Sequence, residues 1–401
     1  MPTPSPSPAA ALSLGGAGFA FTLAGAFFMM AGAAAPTLFY PVLQQQIGFS
    51  PAMISAIFAI YAAALLAALL VVGSVSDHIG RRPALSLGFA GLALAVLLFW
   101  QADSVGGLLT ARAVQGAATG LLMPALTAFA AELEPRDRPG TAAVWTAVPP
   151  LCGLAAGAML SGLAMKYARH PGADVFGGLA LLYLLGAPLC WLLPETSPRL
   201  EGLRRALRPR VGLPAPARAT FWRSAPAVFA GWAIGGLYLS LGTGIVSQVF
   251  GIRDPVAEAG VVLLLAGTGA LSTFVSRRVH QRQVMLTGTA TLAIGTLVSL
   301  LGMQTGGITL YLLGLGLSGV GFGTCFYGTI RSLAPLASAE TRGEMFAALY
   351  TLSYLAFGLP TIIAGLIAPQ AGLLATATGY GLIVALAAAV AWGWRRFATQ
   401  D

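Results

Sequence analysis

Two short stretches hold the side chains whose types and spacing could do chemistry. In GSVSDHIGRR (Gly73 to Arg82), Asp77, Arg81 and Arg82 stand between two long apolar runs, with Gly73 and Gly80 around them. One carboxylate and two guanidiniums in so short a connection suit ion pairs that form and break, and Gly80 permits a tight turn that a side chain would obstruct. In LLTARAVQGAATG (Leu108 to Gly120), Arg112 is the only basic residue well inside an apolar run. A charge there is expensive and usually faces a cavity or a partner. Its chemistry is anion binding, or the holding of a water or carboxylate whose pKa the guanidinium lowers.

The elements that must position these groups are membrane helices. Hydrophobic residues make up 57% of the 401 and charged residues 9%, and the mean hydropathy is +0.81. A soluble chain would be about a quarter charged. Apolar runs of about 20 residues recur along the whole length, as spanning helices require. They place spans near 16–42, 51–73, 84–100, 105–130, 140–166 and 174–193, then 222–248, 255–275, 283–302, 306–334, 342–367 and 371–394. This predicts an all-α membrane protein of twelve transmembrane helices.

The formal charge of +9 is topological. Of the 22 basic residues, 18 lie in alternate connections and the C-terminus, whereas only Lys166, Arg169 and Arg253 lie in the opposite set. Positive charge stays on the cytoplasmic side during insertion. The expectation is a multi-pass protein of the cytoplasmic (inner) membrane with both termini cytoplasmic and no nucleic-acid partner. Residues 1–15 read as a disordered tail without a basic n-region. Residues 16–193 and 222–394 read as two six-helix halves, 194–221 as a basic cytoplasmic linker lying on anionic headgroups, and 395–401 as a tail. The halves repeat weakly: at an offset of 203, Gly116 pairs with Gly319, Gly120 with Gly323, Gly140 with Gly343 and Gly162 with Gly365.

The opening stretch resembles the loop between the second and third helices of the major facilitator superfamily of secondary transporters, whose pattern is Gly-x-x-x-Asp-Arg-x-Gly-Arg-Arg/Lys. Gly73, Asp77, Gly80, Arg81 and Arg82 match it, and His78 stands where the family usually has Arg. Arg112, Gln115 and Gly116 match the helix 4 motif of the superfamily's antiporters, and Pro194-Glu195-Thr196 resembles a segment often found after helix 6. In helix 5 the antiporter pattern Gly-x-x-x-Gly-Pro-x-x-Gly-Gly is kept at Gly153 and Gly157 but has Leu154 for its proline. Small residues at this spacing still allow close helix approach, and Pro149-Pro150 could bend the helix. The resemblance implies pseudo-symmetric halves and alternating access. It makes the loop a latch, with Asp77 facing the start of helix 11 near Arg342, and Arg81 and Arg82 paired to Glu132 or Glu134. The second copy of the loop, TFVSRRVHQR (Thr273 to Arg282), lacks the Gly and Asp.

Polar and aromatic residues of helices 1, 4, 7 and 10 nominate a substrate cavity: Tyr40, Gln44, Gln115, Trp232, Tyr238, Gln248 and Tyr327 beside Arg112. No acidic residue lies mid-span, which argues against a strongly cationic substrate. The only lysine, Lys166, has no phosphate-loop context, so direct ATP drive is not expected. His78, His170 and His280 lack metal-ligand spacing. Cys152, Cys190 and Cys325 read as packing residues. No metal, cofactor or enzymatic set is expected. The leading reading is a monomeric secondary transporter exporting a small amphipathic or anionic solute in exchange for protons. Proton-coupled uptake, facilitated diffusion, and a non-transporting sensor or assembly factor remain alternatives.

The charge bias makes topology testable. Cysteines introduced at Ser7 and Ala215 should resist membrane-impermeant thiol reagents in intact cells, and one at Ala173 should react. Labelling at Ala215 from outside would overturn the assignment.

Overall fold

The computed structural model describes residues 8–134, 141–209, 211–337 and 341–397. Twelve helices in it are long and apolar enough to cross a membrane. They are α1 (Pro8–Ala34), α2 (Pro51–Val72), α3 (Arg81–Trp100), α4 (Val105–Glu132), α5 (Thr141–Tyr167), α6 (Gly178–Leu189, entered through a π-helical turn Ala173–Gly177), α7 (Ala215–Gly244), α8 (Pro255–Ser276), α9 (Gln281–Thr305), α10 (Ile308–Leu333), α11 (Arg342–Ala371) and α12 (Leu373–Phe397). No strand occurs among the described residues.

Local chemistry sets several boundaries. Asp254 caps α8 by accepting from Val256 N (2.9 Å) and Ala257 N (3.0 Å), and Ser104 accepts from Gly107 N at the start of α4. Pro51 and Pro255 occupy first-turn positions, where the missing N–H is harmless. Some expected boundaries move. The helix expected from residue 16 begins at Pro8, inside the expected tail, because Ala and Leu there favour helix. The first apolar run does not continue as one helix to residue 42. It passes through a 3-10 turn, Ala35–Leu38, into a separate helix, Tyr40–Ile47, as Pro36 and Pro41 each remove a donor. The linker shortens because α7 starts at Ala215, after the extended Pro214. It carries one helical turn, Leu203–Ala206. α5 runs as helix through Pro149 and Pro150.

The halves repeat each other. In the first, α2 packs on α4, α1 on α5, α3 on α4 and α3 on α6; in the second, α8 packs on α10, α7 on α11, α9 on α10 and α9 on α12. The seams between halves are α5 on α8 and α2 on α11, again an equivalent pair. Each half encloses its own core, around Phe89, Leu92 and Phe129 in one and Leu237, Leu292 and Leu315 in the other.

Glycine makes these contacts possible. A Cβ on Gly116 would lie 2.3 Å from the Tyr61 carbonyl of α2, and one on Gly319 would lie 2.5 Å from the Leu265 carbonyl of α8. Gly153 and Gly157 set α5 against the Phe27 and Ala31 carbonyls of α1, where a Cβ would fall at 2.0 and 2.2 Å. Gly162 meets Pro255 across one seam and Gly365 meets Ser55 across the other. Beside Gly162, Lys166 reaches over to Asp254 at 2.5 Å. The Gly162 and Gly365 contacts and the Lys166–Asp254 pair lie at the face opposite the linker. Gly140 falls outside the described residues.

These approaches differ from lipid-facing glycines such as Gly379, where an added Cβ meets nothing within 4 Å. Gly153→Val should force α1 and α5 apart and lower the melting temperature in detergent, at a cost of about 1–3 kcal/mol or more. Gly379→Ala should leave it unchanged or raise it, by up to about 1 kcal/mol. Equal effects of the two variants would refute the packing argument.

Candidate functional site

The loop after α2 forms a polar knot at the linker face. Gly80, at φ 112° and ψ 152°, turns the chain from the short helix Ser76–Ile79 into α3. A side chain there would be strained, and its Cβ would lie 2.7 Å from Glu195 Oε2. Arg81 is 3% exposed. Its Nη2 meets Asp77 Oδ1 and Glu132 Oε1, both at 2.6 Å; its Nε donates to Glu132 Oε2 at 3.1 Å and its Nη1 to Ser76 Oγ at 2.5 Å. Glu195 sits on the N-terminus of α3, accepting from Arg81 N at 2.8 Å and Arg82 N at 3.2 Å, and from Ser197 N at 3.1 Å. A carboxylate at a helix N-terminus is favoured by orphan N–H groups and the macrodipole. Thr196 Oγ1 donates to Glu132, and Ser197 Oγ donates to the Ser76 and Asp77 carbonyls. Leu200 N donates to the Asp77 carbonyl at 2.9 Å. The first linker residues are thereby bolted to the first half.

Asp77 pairs with Arg81 of its own half, and Gly343 and Glu344 of α11 lie across the mouth of the cavity that Asp77 also lines. Glu132 is the acid on Arg81; Glu134 lies beyond the cap of α4. Arg82 contributes its backbone: its carbonyl accepts from the Cys190 thiol, while its buried Nε has no hydrogen-bond partner. Gly73 lines the same mouth. The linker's other end ties to the second half through Gly212 N and the Glu344 carbonyl (3.4 Å).

Between the halves lies a cavity of about 1570 Å³. It runs from Arg112, Ala33 and Phe58 to the linker face, where Asp77, His78, Glu132, Arg204, Arg208 and Glu344 form its mouth. Its walls are mainly apolar, from Met29, Met30, Tyr61 and Met123 on one side to Trp232, Phe326, Tyr354 and Phe357 on the other. The Gly162–Pro255 and Gly365–Ser55 contacts and the Lys166–Asp254 pair lie at the opposite face, while the α5–α8 seam continues to the linker face, where Val144 and Val148 pack near Ala270 and the Trp145 and Phe274 rings lie 5.9 Å apart.

Arg112 is the eighth residue of α4, about 10 Å along it, so it sits nearer the sealed end than the expected mid-span position. It is 1% exposed. Its Nε donates to Tyr40 Oη at 2.7 Å and its Nη1 to Gln115 Oε1 at 2.6 Å and the Ala33 carbonyl at 3.2 Å. Gln115 Nε2 in turn donates to the Gly32 carbonyl at 2.8 Å. The rings of Tyr40, Phe58, Tyr61 and Phe99 lie 5.4–5.7 Å from the guanidinium carbon. Nη2 has no hydrogen-bond partner, and no ion pair forms on Arg112 among the described residues.

The other nominated residues divide. Trp232 and Tyr327 line the cavity. Tyr40 and Gln115 serve it indirectly, by orienting Arg112. Gln44 instead donates to the Phe49 carbonyl beyond the membrane helix. Tyr238 is buried in the second core with its hydroxyl 2.5 Å from Ser299 Oγ, and Gln248 is exposed on a π-helical turn at the far end of α7. Tyr238 stands six residues beyond the cavity-lining Trp232, about 240° around the helix, so it turns into the second core, and Gln248 lies on the π-helical turn past the end of α7. Residues passed over by sequence reasoning include Ser197, Phe58, Tyr61, Phe326, Tyr350, Tyr354 and Phe357, and Glu195 is named only within the Pro194-Glu195-Thr196 resemblance, with no role as a cap. The spacing of Tyr350, Tyr354 and Phe357 (i, i+4, i+7) marked one face of α11. Among the described residues no cluster of three or more His, Cys, Asp or Glu could hold a metal.

Burial by itself would raise the Glu195 carboxyl, but the N–H donors of Arg81, Ser197 and Arg82 and the Arg199 charge outweigh it and hold it below the usual carboxylate range. A depressed folded-state pKa gives stability that is present above the unfolded value and lost as pH falls through the folded one. Wild type should therefore melt above Glu195→Gln near neutral pH, and the gap should close on acidification through and below the carboxylate range. A gap independent of pH would show that the carboxylate charge is not what ties the linker.

The comparisons agree with this architecture. A structure of the human organic anion transporter MFSD10 (TETRAN) superposes with a TM-score of 0.66 over 96% of this chain and 100% of that one, at 19% identity. A triacylglyceride transporter of Mycolicibacterium hassiacum is 36% identical over 73 residues, which is 18% of this chain and only 14% of that relative's length. The family model described as Major Facilitator Superfamily matches residues 21–359. Twelve helices in two equivalent halves around one cavity, with that match over most of the chain, make this protein a member of the major facilitator superfamily.

Proposed function

We propose that this protein moves a small amphipathic or anionic solute across the cytoplasmic membrane by alternating access, as a monomer that exports its substrate in exchange for protons. The observation that carries the reading is the cavity. It lies between two pseudo-symmetric halves that meet at Gly162–Pro255, Gly365–Ser55 and Lys166–Asp254 on one face, and it opens beside the linker on the other, where α5 and α8 stay in contact through Trp145 and Phe274. The charge bias of the connections makes the linker face cytoplasmic. This is then the inward-facing arrangement. In the other arrangement the Gly162–Pro255 and Gly365–Ser55 seams and the Lys166–Asp254 pair part, and Asp77 approaches the start of α11.

The walls support an amphipathic cargo, since apolar and aromatic side chains dominate and Arg112, unlike the buried Arg81, has no carboxylate partner among the described residues. The organic anion and triacylglyceride transporters named above fit a cargo with an apolar body. A second reading, facilitated diffusion or uptake, draws on the carboxylates: among the described lining residues Asp77, Glu132, Glu201 and Glu344 all lie at the mouth, away from Arg112.

Purified protein in liposomes decides between them. A panel of amphipathic solutes should accumulate inside vesicles whose lumen is acidic, and accumulation should collapse with a protonophore. Equilibration without accumulation would support the second reading, and movement of no solute would remove transport altogether. Asp77→Asn should cut the transport rate about tenfold or more with little change in expression or substrate affinity, because Asp77 lies at the mouth of the cavity. A normal rate in this variant would reduce the loop to a topological signal.

A further inference from the structure

Arg112 is a buried cation with an unused donor. Tyr40, Gln115 and the Ala33 carbonyl occupy Nε and Nη1, and all three acceptors are neutral. Four aromatic rings surround the group and offer cation–π attraction, which offsets only part of the desolvation of a charge. Nη2 is buried without a partner, and Arg112 is itself a lining residue of the cavity, so a group arriving from the cavity reaches that nitrogen once the side chains beside it shift. The charge and the donor both call for an anion arriving from the cavity. A single guanidinium with one free nitrogen suits a monoanion. A dianion would keep an uncompensated charge in an apolar chamber.

The opposite wall has another character. Trp232 of α7 lies at the centre of a ring cluster, with centroids 4.9 Å from Tyr354, 5.3 Å from Phe326 and 6.4 Å from Phe357. Tyr350 adds contacts to Phe326 at 5.8 Å and to Tyr354 at 6.4 Å. Each of these residues lines the cavity. Such faces and edges favour a flat aromatic body through offset and edge-on contacts beyond simple apolar burial.

We propose that the cavity binds an aromatic monocarboxylate, its carboxylate on Arg112 Nη2 in the first half and its ring body against the Trp232 cluster in the second. This deepens the transport reading above and rests on it for the passage of the ligand, though not for its binding. The charge contact belongs to one half and the ring contact to the other. A bound molecule thus bridges the two bodies whose relative movement would carry it, whereas a neutral or non-aromatic analogue holds only one.

Equilibrium binding of 2-naphthoate to the purified full chain in lipid nanodiscs tests this, with 2-naphthylmethanol and cyclohexanecarboxylate as analogues lacking the charge or the ring. Wild type should bind 2-naphthoate saturably, at least about tenfold more tightly than 2-naphthylmethanol, the scale of a lost charge-assisted hydrogen bond, and more tightly than cyclohexanecarboxylate, which lacks the aromatic contacts. Arg112→Gln should weaken 2-naphthoate about tenfold or more and leave 2-naphthylmethanol unchanged, which also shows that the variant is folded. Trp232→Leu should weaken 2-naphthoate and 2-naphthylmethanol together and spare cyclohexanecarboxylate. Equal affinity of wild type for 2-naphthoate and 2-naphthylmethanol would overturn the carboxylate site whatever the variants do, and full binding by Trp232→Leu would overturn the ring site. Selective binding without movement in liposomes would sink the transport reading and leave this site standing. Transport of another solute without 2-naphthoate binding would do the reverse.

Discussion

Close approach of helix backbones is the constraint on which the rest of this molecule depends. In hydrocarbon, helices gain nothing by hiding apolar side chains from lipid, so association relies on van der Waals contact and a few hydrogen bonds. Gly116, Gly153 and Gly157 let one helix lie directly on the carbonyls of another, where any Cβ would overlap. The same device recurs at Gly319 and Gly323 in the second half. The two halves are therefore tight within themselves. Between them, contact concentrates on the α5–α8 and α2–α11 seams and their glycines, Gly162 and Gly365. Two bodies that are tight within themselves and meet along two equivalent seams can rock about those seams with little internal repacking.

Polar chemistry is distributed in keeping with that mechanics. At the linker face, charge is paired and multiply hydrogen bonded: Arg81 with Asp77 and Glu132, Glu195 with the first turn of α3. All of these contacts fall inside the first half, so they stiffen it and anchor the linker to it. At the other end of the linker, Gly212 touches Glu344 of α11. The linker thus runs from one body to the other past the cavity mouth, with Arg204 and Arg208 on its rim. On the sealed face, Lys166 and Asp254 form the pair that crosses between halves, and both side chains are partly exposed. An exposed pair is worth little by itself. It adds direction to a seam whose strength comes from packing.

Inside the cavity the balance reverses. Arg112 is deeply buried and held by neutral groups, with no carboxylate beside it among the described residues. A buried ion without a counter-ion is far less common than a buried pair. Its persistence beside an open chamber is easier to understand if the missing charge arrives with a ligand. The aromatic wall across the chamber supplies what a single guanidinium cannot, namely affinity for the body of the molecule.

Composition and periodicity alone determined the helical class, the number of spans, the basic linker and the repeat at an offset of 203. These follow from local requirements: a span must be long and apolar, and a seam glycine must recur where the seam recurs. The loop motif and Arg112 were legible for the same reason, because charge in an apolar chain stands out against its background. What the charges touch was not legible. Asp77 pairs with Arg81 four residues on, and Glu195, 114 residues along the chain from Arg81, caps α3. Tyr238 and Gln248 have the composition of cavity residues but turn elsewhere, since the packing of α7 on its neighbours decides which of its faces looks inward. The ring cluster around Trp232 draws on α7, α10 and α11 at once. Which faces of twelve helices look at one another is a property of their joint packing. No single helix carries that information in its own periodicity, so only the tertiary structure decided it.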